Sequence, residues 1–163
     1  MKSLKLQVLE ILSADCRIPM ERIAVMTGAS LPDVAQAIEE LERDRVILQY
    51  SPIINWDRTE RERVEAMIEV KVLPQRDMGF DAIASRIYRF EEVKSVYLMS
   101  GSYDLLVLVE AGTLKELAMF VCEKLSTLET VTGTSTSFVL KRYKKDGVVF
   151  VGDNTDKRLA VTL

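Results

Sequence analysis

Side chains that perform chemistry in enzymes are scarce in this chain of 163 residues. It contains no histidine, so it lacks the commonest general base and the commonest metal ligand. Its two cysteines, Cys16 and Cys122, do not have the spacing of a metal site, and no nucleophile is paired with a base at a recognisable spacing. We therefore expect no catalytic residue, no metal site and no cofactor, and the chemistry to expect is binding.

One segment has the spacing of a helix that reads DNA but an unusual charge. Between Leu31 and Arg45 there are five acids and two bases. Its outward positions include Gln36, which can pair with adenine, and Glu39, which can accept a hydrogen bond from cytosine. Affinity for DNA comes mainly from contacts of Lys and Arg with the phosphates. The acids of this segment therefore weaken binding, even where they can recognise a base. The predicted DNA-binding residues are Arg17, Arg22, Ser30, Pro32, Ala35, Gln36, Glu39 and Arg43.

The elements that position this helix follow from apolar spacing. Residues at intervals of three and four predict one helix from Leu4 and a second that begins near Pro19. Gly28 ends the second helix, and Ser30 caps a third, whose buried stripe includes Val34 and Leu41. Helix, short turn and helix is a helix-turn-helix pattern.

Residues 46–56 contain two short β-rich runs separated by Ser51-Pro52, which predicts a small hairpin, or wing. We therefore predict a winged helix-turn-helix DNA-binding domain over 1–56. A charged linker is predicted over 57–64.

The second half changes period. Residues 65–72 alternate and predict a half-buried strand, and a helix follows from Phe80. Strands over 93–100 and 103–110 flank Gly101-Ser102, which predicts a tight hairpin. A capping box at Thr113 opens another helix, and a long strand is predicted over 132–143. The order β-α-β-β-α-β predicts an α+β fold in which a ferredoxin-like sandwich over 65–145 follows the first domain. A short strand and a tail complete the chain over 146–163.

The loop after the second strand offers groups for a small ligand. Gly101 and Ser102 leave room for a ligand backbone, Tyr103 offers an aromatic wall, and Asp104 can accept an ammonium group. The alternative is a plain turn in which Asp104 caps its own backbone. The predicted ligand-binding residues are Met99, Gly101, Ser102, Tyr103, Asp104, Thr134 and Thr136.

The strand that follows this loop, "YDLLVLV", is apolar on both faces. Helices cover only one face of a ferredoxin-like sheet, so the second face needs another cover. We expect a second subunit to provide it, which makes the protein at least a homodimer.

The bulk composition allows DNA binding but does not favour it. The formal net charge is −3, whereas proteins that bind nucleic acid through bulk charge are normally basic. No apolar stretch is long enough to span a membrane, and the start of the chain reads as an amphipathic helix rather than a signal peptide. We expect a cytoplasmic protein with free thiols.

Three stretches resemble the Lrp/AsnC family of transcriptional regulators. They are "RIPMERIAVMTGASLPDVAQAIEELERDRVI", "LMSGSYDLLVLV" and "TSTSFVL", the last of which carries the family's paired threonines at Thr134 and Thr136. The resemblance implies a winged helix-turn-helix followed by a ferredoxin-like domain that dimerises and often forms octamers. It also implies an amino acid effector bound between subunits near the glycine loop. The chain departs from the family where Ala35, Gln36 and Ala37 replace the usual basic residues.

Three functions remain open. The first is a sequence-specific DNA-binding transcriptional regulator gated by a small effector, expected to be an amino acid, through oligomer assembly. The second is an effector-binding oligomeric module whose acidic helix-turn-helix has lost strong DNA binding. The third is an enzyme, since some sirohaem decarboxylases resemble this architecture, but their chemistry depends on histidine.

Overall fold

The structure, a computed structural model, describes residues 3–74 and 79–150. The chain forms two compact units, of which the first ends at Pro52 and the second begins at Ile53. The first domain predicted from the sequence, 1–56, ends four residues after Pro52. The tail predicted after residue 151 lies outside the described residues.

The first unit is a bundle of three helices with one apolar core. Helix α1 spans Leu4–Ala14, α2 spans Met20–Thr27 and α3 spans Leu31–Arg43. Ser30 caps α3 because its Oγ accepts a hydrogen bond from the Asp33 backbone N at 3.3 Å. The stripe predicted from the sequence is buried, and it packs against side chains of the other two helices; the core consists of Val8, Ile23, Ala24, Val34, Ala37, Ile38 and Leu41.

Both turns at the ends of α2 and α3 use left-handed residues. Gly28 ends α2 with a φ of 71°, as the sequence predicts. Arg45 ends α3 with a φ of 57°, a conformation that normally favours glycine. Two backbone bonds hold it: Val46 N donates to Leu41 O at 2.9 Å and Arg45 N donates to Glu42 O at 3.0 Å. This is a Schellman end with arginine at the usual glycine position.

The hairpin predicted over 46–56 is wrong. Residues 46–55 contain no strand, and a short 3-10 turn, Trp56–Arg58, follows. An isolated two-stranded hairpin is marginally stable in water, and Pro52 has no N–H to contribute to a ladder. The β-rich composition of this segment therefore does not by itself produce a wing.

The second unit contains a four-stranded antiparallel sheet in the order β2-β3-β1-β4. Strand β1 spans Val64–Val72, β2 spans Val93–Leu98, β3 spans Leu105–Ala111 and β4 spans Val131–Phe138. The predicted alternation in β1 is confirmed, since Ala66, Ile68, Val70 and Val72 are all buried. The ferredoxin-like fold predicted from the element order is thereby confirmed.

Two helices cover one face of this sheet. Helix α4 spans Phe80–Ile87, and α5 spans Leu114–Met119 and continues as a π-helix over Phe120–Leu125. The predicted capping box at Thr113 and Glu116 is present at the start of α5. The periodicity of the sequence predicts an unbroken helix here and does not indicate the π-helical turn.

Two details of the second unit differ from the prediction. Strand β4 ends at Phe138, five residues before the predicted end. The connection between β2 and β3 is a wider loop rather than a two-residue turn, because Leu98 pairs with Leu105 across the six residues 99–104. Beyond β4, a small hairpin pairs β5, Lys144–Lys145, with β6, Val148–Val149, across the predicted Asp146-Gly147 turn. Within the described residues, no helix is long and apolar enough to cross a membrane.

Candidate DNA-binding surface and effector pocket

Helix α3 presents the expected polar face to solvent. Pro32, Gln36, Glu39 and Arg43 are exposed, and Ala35 is half-buried. Arg17, Arg22 and Ser30 are also exposed on the same unit. The structure therefore places all eight predicted DNA-binding residues where solvent can reach them, and their contact with DNA stays a prediction.

The acids of α3 are partly neutralised by neighbouring groups. Lys5 Nζ lies 2.8 Å from Glu40 Oε2, and Gln36 Nε2 donates to Glu40 Oε1 at 3.0 Å. These two hydrogen bonds, first that of Lys5, lower the pKa of Glu40 below its ordinary value. The side chain of Gln36 is therefore already engaged, and it must exchange Glu40 for a base in order to read DNA.

The segment after α3 is tied back to that helix. The Tyr50 hydroxyl donates to Glu42 Oε1 at 2.8 Å. Partial burial, together with this bond to a carboxylate, raises the pKa of Tyr50 to about 12. Glu42 thus has a role within the unit, which leaves Glu39 as the acid of α3 most available to a ligand.

A pocket of about 370 Å³ lies at the end of the sheet that carries the 99–104 loop. Its lining comprises Glu69, Lys71, Ser102, Tyr103, Gly133, Thr134 and Ser135. It joins β1, β4 and the loop, because Glu69 pairs with Ser135 and Lys71 with Gly133 across the two strands. One carboxylate, one ammonium group and several hydroxyls thus face the same volume.

Three of the seven predicted ligand-binding residues line this pocket, namely Ser102, Tyr103 and Thr134. Met99, Gly101, Asp104 and Thr136 do not belong to its lining. Thr134 pairs with Val70 and Thr136 pairs with Ile68, and both partners are buried beneath the helices, so the two threonines share one strand face, as the sequence predicts. A joint role of Thr134 and Thr136 in ligand binding stays a prediction.

Asp104 has a different partner from the one expected. Its Oδ2 accepts a hydrogen bond from Val72 N at 2.9 Å, and its own N donates to Val70 O at 3.1 Å. Met99 N in turn donates to Asp104 O at 2.8 Å. These three bonds hold the loop against β1, and a role for Asp104 as a ligand stays a prediction.

Sequence reasoning missed the two charged residues of the pocket. Glu69 and Lys71 alternate with the buried side chains of β1, so the sequence does place them on the uncovered face. Only the pairing of β1 with β4 brings them to Gly133 and Ser135. The alternation, combined with the ferredoxin-like strand order, is the signal that could have found them.

The uncovered face of the sheet is markedly apolar at its centre. Leu106 and Leu108 are half-buried there, while Met67 and Tyr97 are 45% and 54% exposed. These four side chains share the face because Met67 pairs with Leu108 and Tyr97 with Leu106. The face matches the apolar second side that the sequence of β3 predicts.

Two ion pairs occupy the other end of this face. Arg63 pairs with Glu110 and Arg142 pairs with Glu65, all four side chains being largely buried. Glu65 and Glu110 are direct partners across β1 and β3, and two like charges at such positions repel each other. The arginine paired with each carboxylate offsets this repulsion. Arg63 also lies over the Trp56 ring, 4.6 Å from its centroid.

Comparison with known proteins agrees with this architecture. The Lrp/AsnC ligand binding domain matches residues 65–149, and a winged helix-turn-helix DNA-binding domain matches residues 1–47. An uncharacterised HTH-type transcriptional regulator of Bacillus subtilis, YugG, is 48% identical over 157 residues, which cover 96% of this chain and 95% of that protein.

Solved structures share the fold at lower identity. The leucine response regulatory protein LrpA of Mycobacterium tuberculosis superimposes with a TM-score of 0.75 at 23% identity, covering 90% of this chain and 97% of that one. The transcriptional regulator NMB0573 of Neisseria meningitidis, solved as an L-Met complex, gives 0.72 at 20% identity, with coverages of 89% and 93%.

These relatives are transcriptional regulators rather than enzymes, in agreement with the absence of histidine. The three-helix unit and the antiparallel sheet covered by two helices correspond to the two matched domains. The chain belongs to the Lrp/AsnC family of DNA-binding transcriptional regulators.

Proposed function

We propose that this regulator reads a specific DNA sequence through α3 and responds to a free amino acid bound at the 99–104 loop. The observation that carries the proposal is the pocket in which Glu69 and Lys71 stand on one strand face beside Ser102 and Tyr103. A free amino acid is a zwitterion, and a carboxylate and an ammonium group two residues apart complement its two charges.

The other pocket groups suit the same ligand. The hydroxyls of Ser102 and Ser135 can donate to a carboxylate, and Tyr103 supplies an aromatic surface for a side chain. The neighbour NMB0573 was solved with L-methionine, which makes that amino acid a reasonable first probe.

Assembly provides the route from the pocket to DNA. The pocket opens on the same sheet face as Leu106 and Leu108, which we propose is covered by a second subunit. Effector binding at the edge of this face would change subunit packing, and therefore the spacing of paired α3 helices, without altering Gln36. Coupling between two such sites is typically about 1–3 kcal/mol, or roughly 5–150-fold in affinity.

The test combines DNA binding with particle mass. Fluorescence anisotropy would compare a fragment from upstream of the protein's own gene with an unrelated fragment, with and without each amino acid. Light scattering would give the oligomer size under the same conditions. We expect selective binding and an amino acid that changes either DNA affinity or mass; a saturating ligand that changes neither contradicts the gating mechanism.

The alternative function is an effector-binding oligomer with weak DNA affinity. The acidic character of α3 favours it, since Ala35, Gln36 and Ala37 provide no base for the DNA phosphates, and Glu39 and Glu40 follow them. Binding of an amino acid together with equal, weak affinity for both fragments would support this alternative.

A further inference from the structure

One residue of the pocket at the 99–104 loop has no side chain. Gly133 belongs to the lining of this pocket, and it pairs directly with Lys71 across β4 and β1. Direct partners in an antiparallel pair point to the same side of the sheet. Because the side chain of Lys71 is exposed on the uncovered face, a side chain at position 133 would point to that face as well, beside Ser135 and Glu69. The pocket therefore has a gap at position 133.

The backbone does not require glycine at this position. The register of β1 against β4 shifts after Lys71, which marks a β-bulge. One kind of bulge needs a glycine in the left-handed conformation. Among the glycines of the described residues, Gly28 and Gly147 have a positive φ, and Gly133 does not. A residue with a side chain can therefore adopt the backbone conformation at position 133.

Packing within the chain does not require glycine either. A Cβ atom added at Gly133 would meet no heavy atom within 4 Å beyond its chain neighbours. Glycine weakens the interior of a strand, and it often marks a place where a ligand approaches the backbone closely. The fold therefore leaves open a space that a larger residue could fill, and this space belongs to the pocket.

The charges of the pocket indicate which kind of ligand side chain suits this space. Glu69 and Lys71 are the charged residues of the lining, and within residues 3–74 and 79–150 neither forms an ion pair. In the proposed function both are used by the ammonium and carboxylate groups of the amino acid. A charged ligand side chain would then find no opposite charge in the lining, whereas the ring of Tyr103 and the aliphatic stem of Lys71 offer apolar contact.

We infer that Gly133 is a specificity-determining residue: the space left by its missing side chain holds the side chain of the bound amino acid. The pocket thus binds amino acids with a large uncharged side chain, such as methionine, more tightly than alanine or a charged amino acid. This inference rests on the proposed function, because it assumes that an amino acid binds in this pocket. One methylene group in an apolar pocket changes affinity by about 10–200-fold, so the wild type should prefer L-methionine to L-alanine by at least about 10-fold.

The test compares L-methionine and L-alanine binding to the full chain for the wild type and Gly133→Ala. The rise in Tm with ligand concentration measures weak as well as tight binding. The added methyl group occupies space that the methionine side chain needs, so affinity for L-methionine should fall by about 10-fold or more. Affinity for L-alanine should stay nearly the same, since its short side chain leaves this space free.

Two further measurements separate a steric effect from a structural one. Gly133→Val should weaken L-methionine binding more than Gly133→Ala does, because its side chain fills more of the space. The Tm of ligand-free Gly133→Ala should not fall, since alanine is more favourable than glycine inside a strand. Tighter binding of L-lysine or L-glutamate than of L-methionine to the wild type would overturn the inferred ligand class.

The matched control is Gly79→Ala. Gly79 precedes α4 on the helical layer with a φ of −71°, and a Cβ atom added there would also meet nothing within 4 Å. This variant adds the same methyl group to the same unit at a position outside the pocket lining. It should retain the affinity of the wild type for both amino acids.

The outcomes distinguish this inference from the proposed function. If the wild type binds no amino acid, the proposed function fails and the inference fails with it. If the wild type binds and Gly133→Ala keeps the same preference for L-methionine, only the role of Gly133 fails. An equal loss of affinity for both amino acids would show an effect on the pocket as a whole and would overturn the inference. A loss of particle mass in the ligand-free variant would assign the space to a second subunit and would also overturn it.

Discussion

Asp104 either fixes the conformation of the 99–104 loop through its own hydrogen bonds or contacts a bound ligand. We predict that Asp104→Ala destabilises the second unit, because it removes the acceptor for Val72 N and leaves that partly buried N–H unpaired. A hydrogen bond to a charged group contributes about 1.5–3 kcal/mol. For a unit of this size, each 1 kcal/mol lowers Tm by about 4–8 °C, so we expect a fall of roughly 6–24 °C.

The comparison variant is Asp104→Asn, which retains an acceptor oxygen but no charge. A neutral hydrogen bond contributes about 1 kcal/mol, so this variant should lose roughly half as much stability as the alanine variant. Calorimetry would follow both unfolding and the binding of whichever amino acid binds the wild type most tightly. If Asp104 only positions the loop, the asparagine variant should bind that amino acid nearly as well as the wild type.

One result would refute this reasoning. An asparagine variant with the Tm of the wild type but no amino acid binding would show that the carboxylate contacts the ligand. Glu69→Gln serves as the positive control, since its side chain lines the pocket and is exposed. It should weaken amino acid binding and leave Tm nearly unchanged.

Three further predictions concern the first unit. Gly28→Ala should lower the free energy of unfolding of this unit by about 1 kcal/mol in urea titration, because a φ of 71° strains the backbone of an alanine. The cost should be limited to this strain, since no neighbouring atom would meet the added methyl group. The free energy of unfolding of the wild type, relative to that of Tyr50→Phe, should be constant below pH 10 and fall as pH rises to about 12, because the raised pKa of Tyr50 favours its protonated form in the folded state. Denaturant titrations at several pH values would measure this difference in unfolding free energy, and a difference that does not change with pH would show that the bond to Glu42 is unimportant. Glu39→Ala should reduce the preference for the specific fragment by about 1–3 kcal/mol in anisotropy while raising affinity for the unrelated one, and an unchanged preference would exclude Glu39 from base reading.

The helices and strands of both units could be predicted because their buried residues recur at the regular spacing of a helix or a strand. The stripe through Val34 and Leu41 repeats every three to four residues, and that of β1 repeats every two. The ends were also predictable where a single residue type determines the backbone, as at Gly28 and Thr113. These signals depend on neighbours a few residues away, so they do not require knowledge of the tertiary fold.

The predictions from sequence are wrong where local composition suggests a strand or a tight turn that distant contacts do not support. The segment 46–56 has residues suited to strands, but a ladder needs a second strand and enough apolar contact to offset chain entropy. The 99–104 loop contains a typical turn pair, yet the three bonds of Asp104 to Val70, Val72 and Met99 favour a wider connection. Two of those partners lie more than thirty residues away in sequence.

The sequence by itself determined the two-unit organisation, the fold class, the absence of a catalytic constellation and the acidic character of α3. The tertiary structure decided which polar side chains share a surface. Strand pairing joins Glu69 and Lys71 to Ser135 and separates Thr136 from them. The physical reason is that periodicity assigns a residue to a face, whereas register between distant strands assigns it to neighbours.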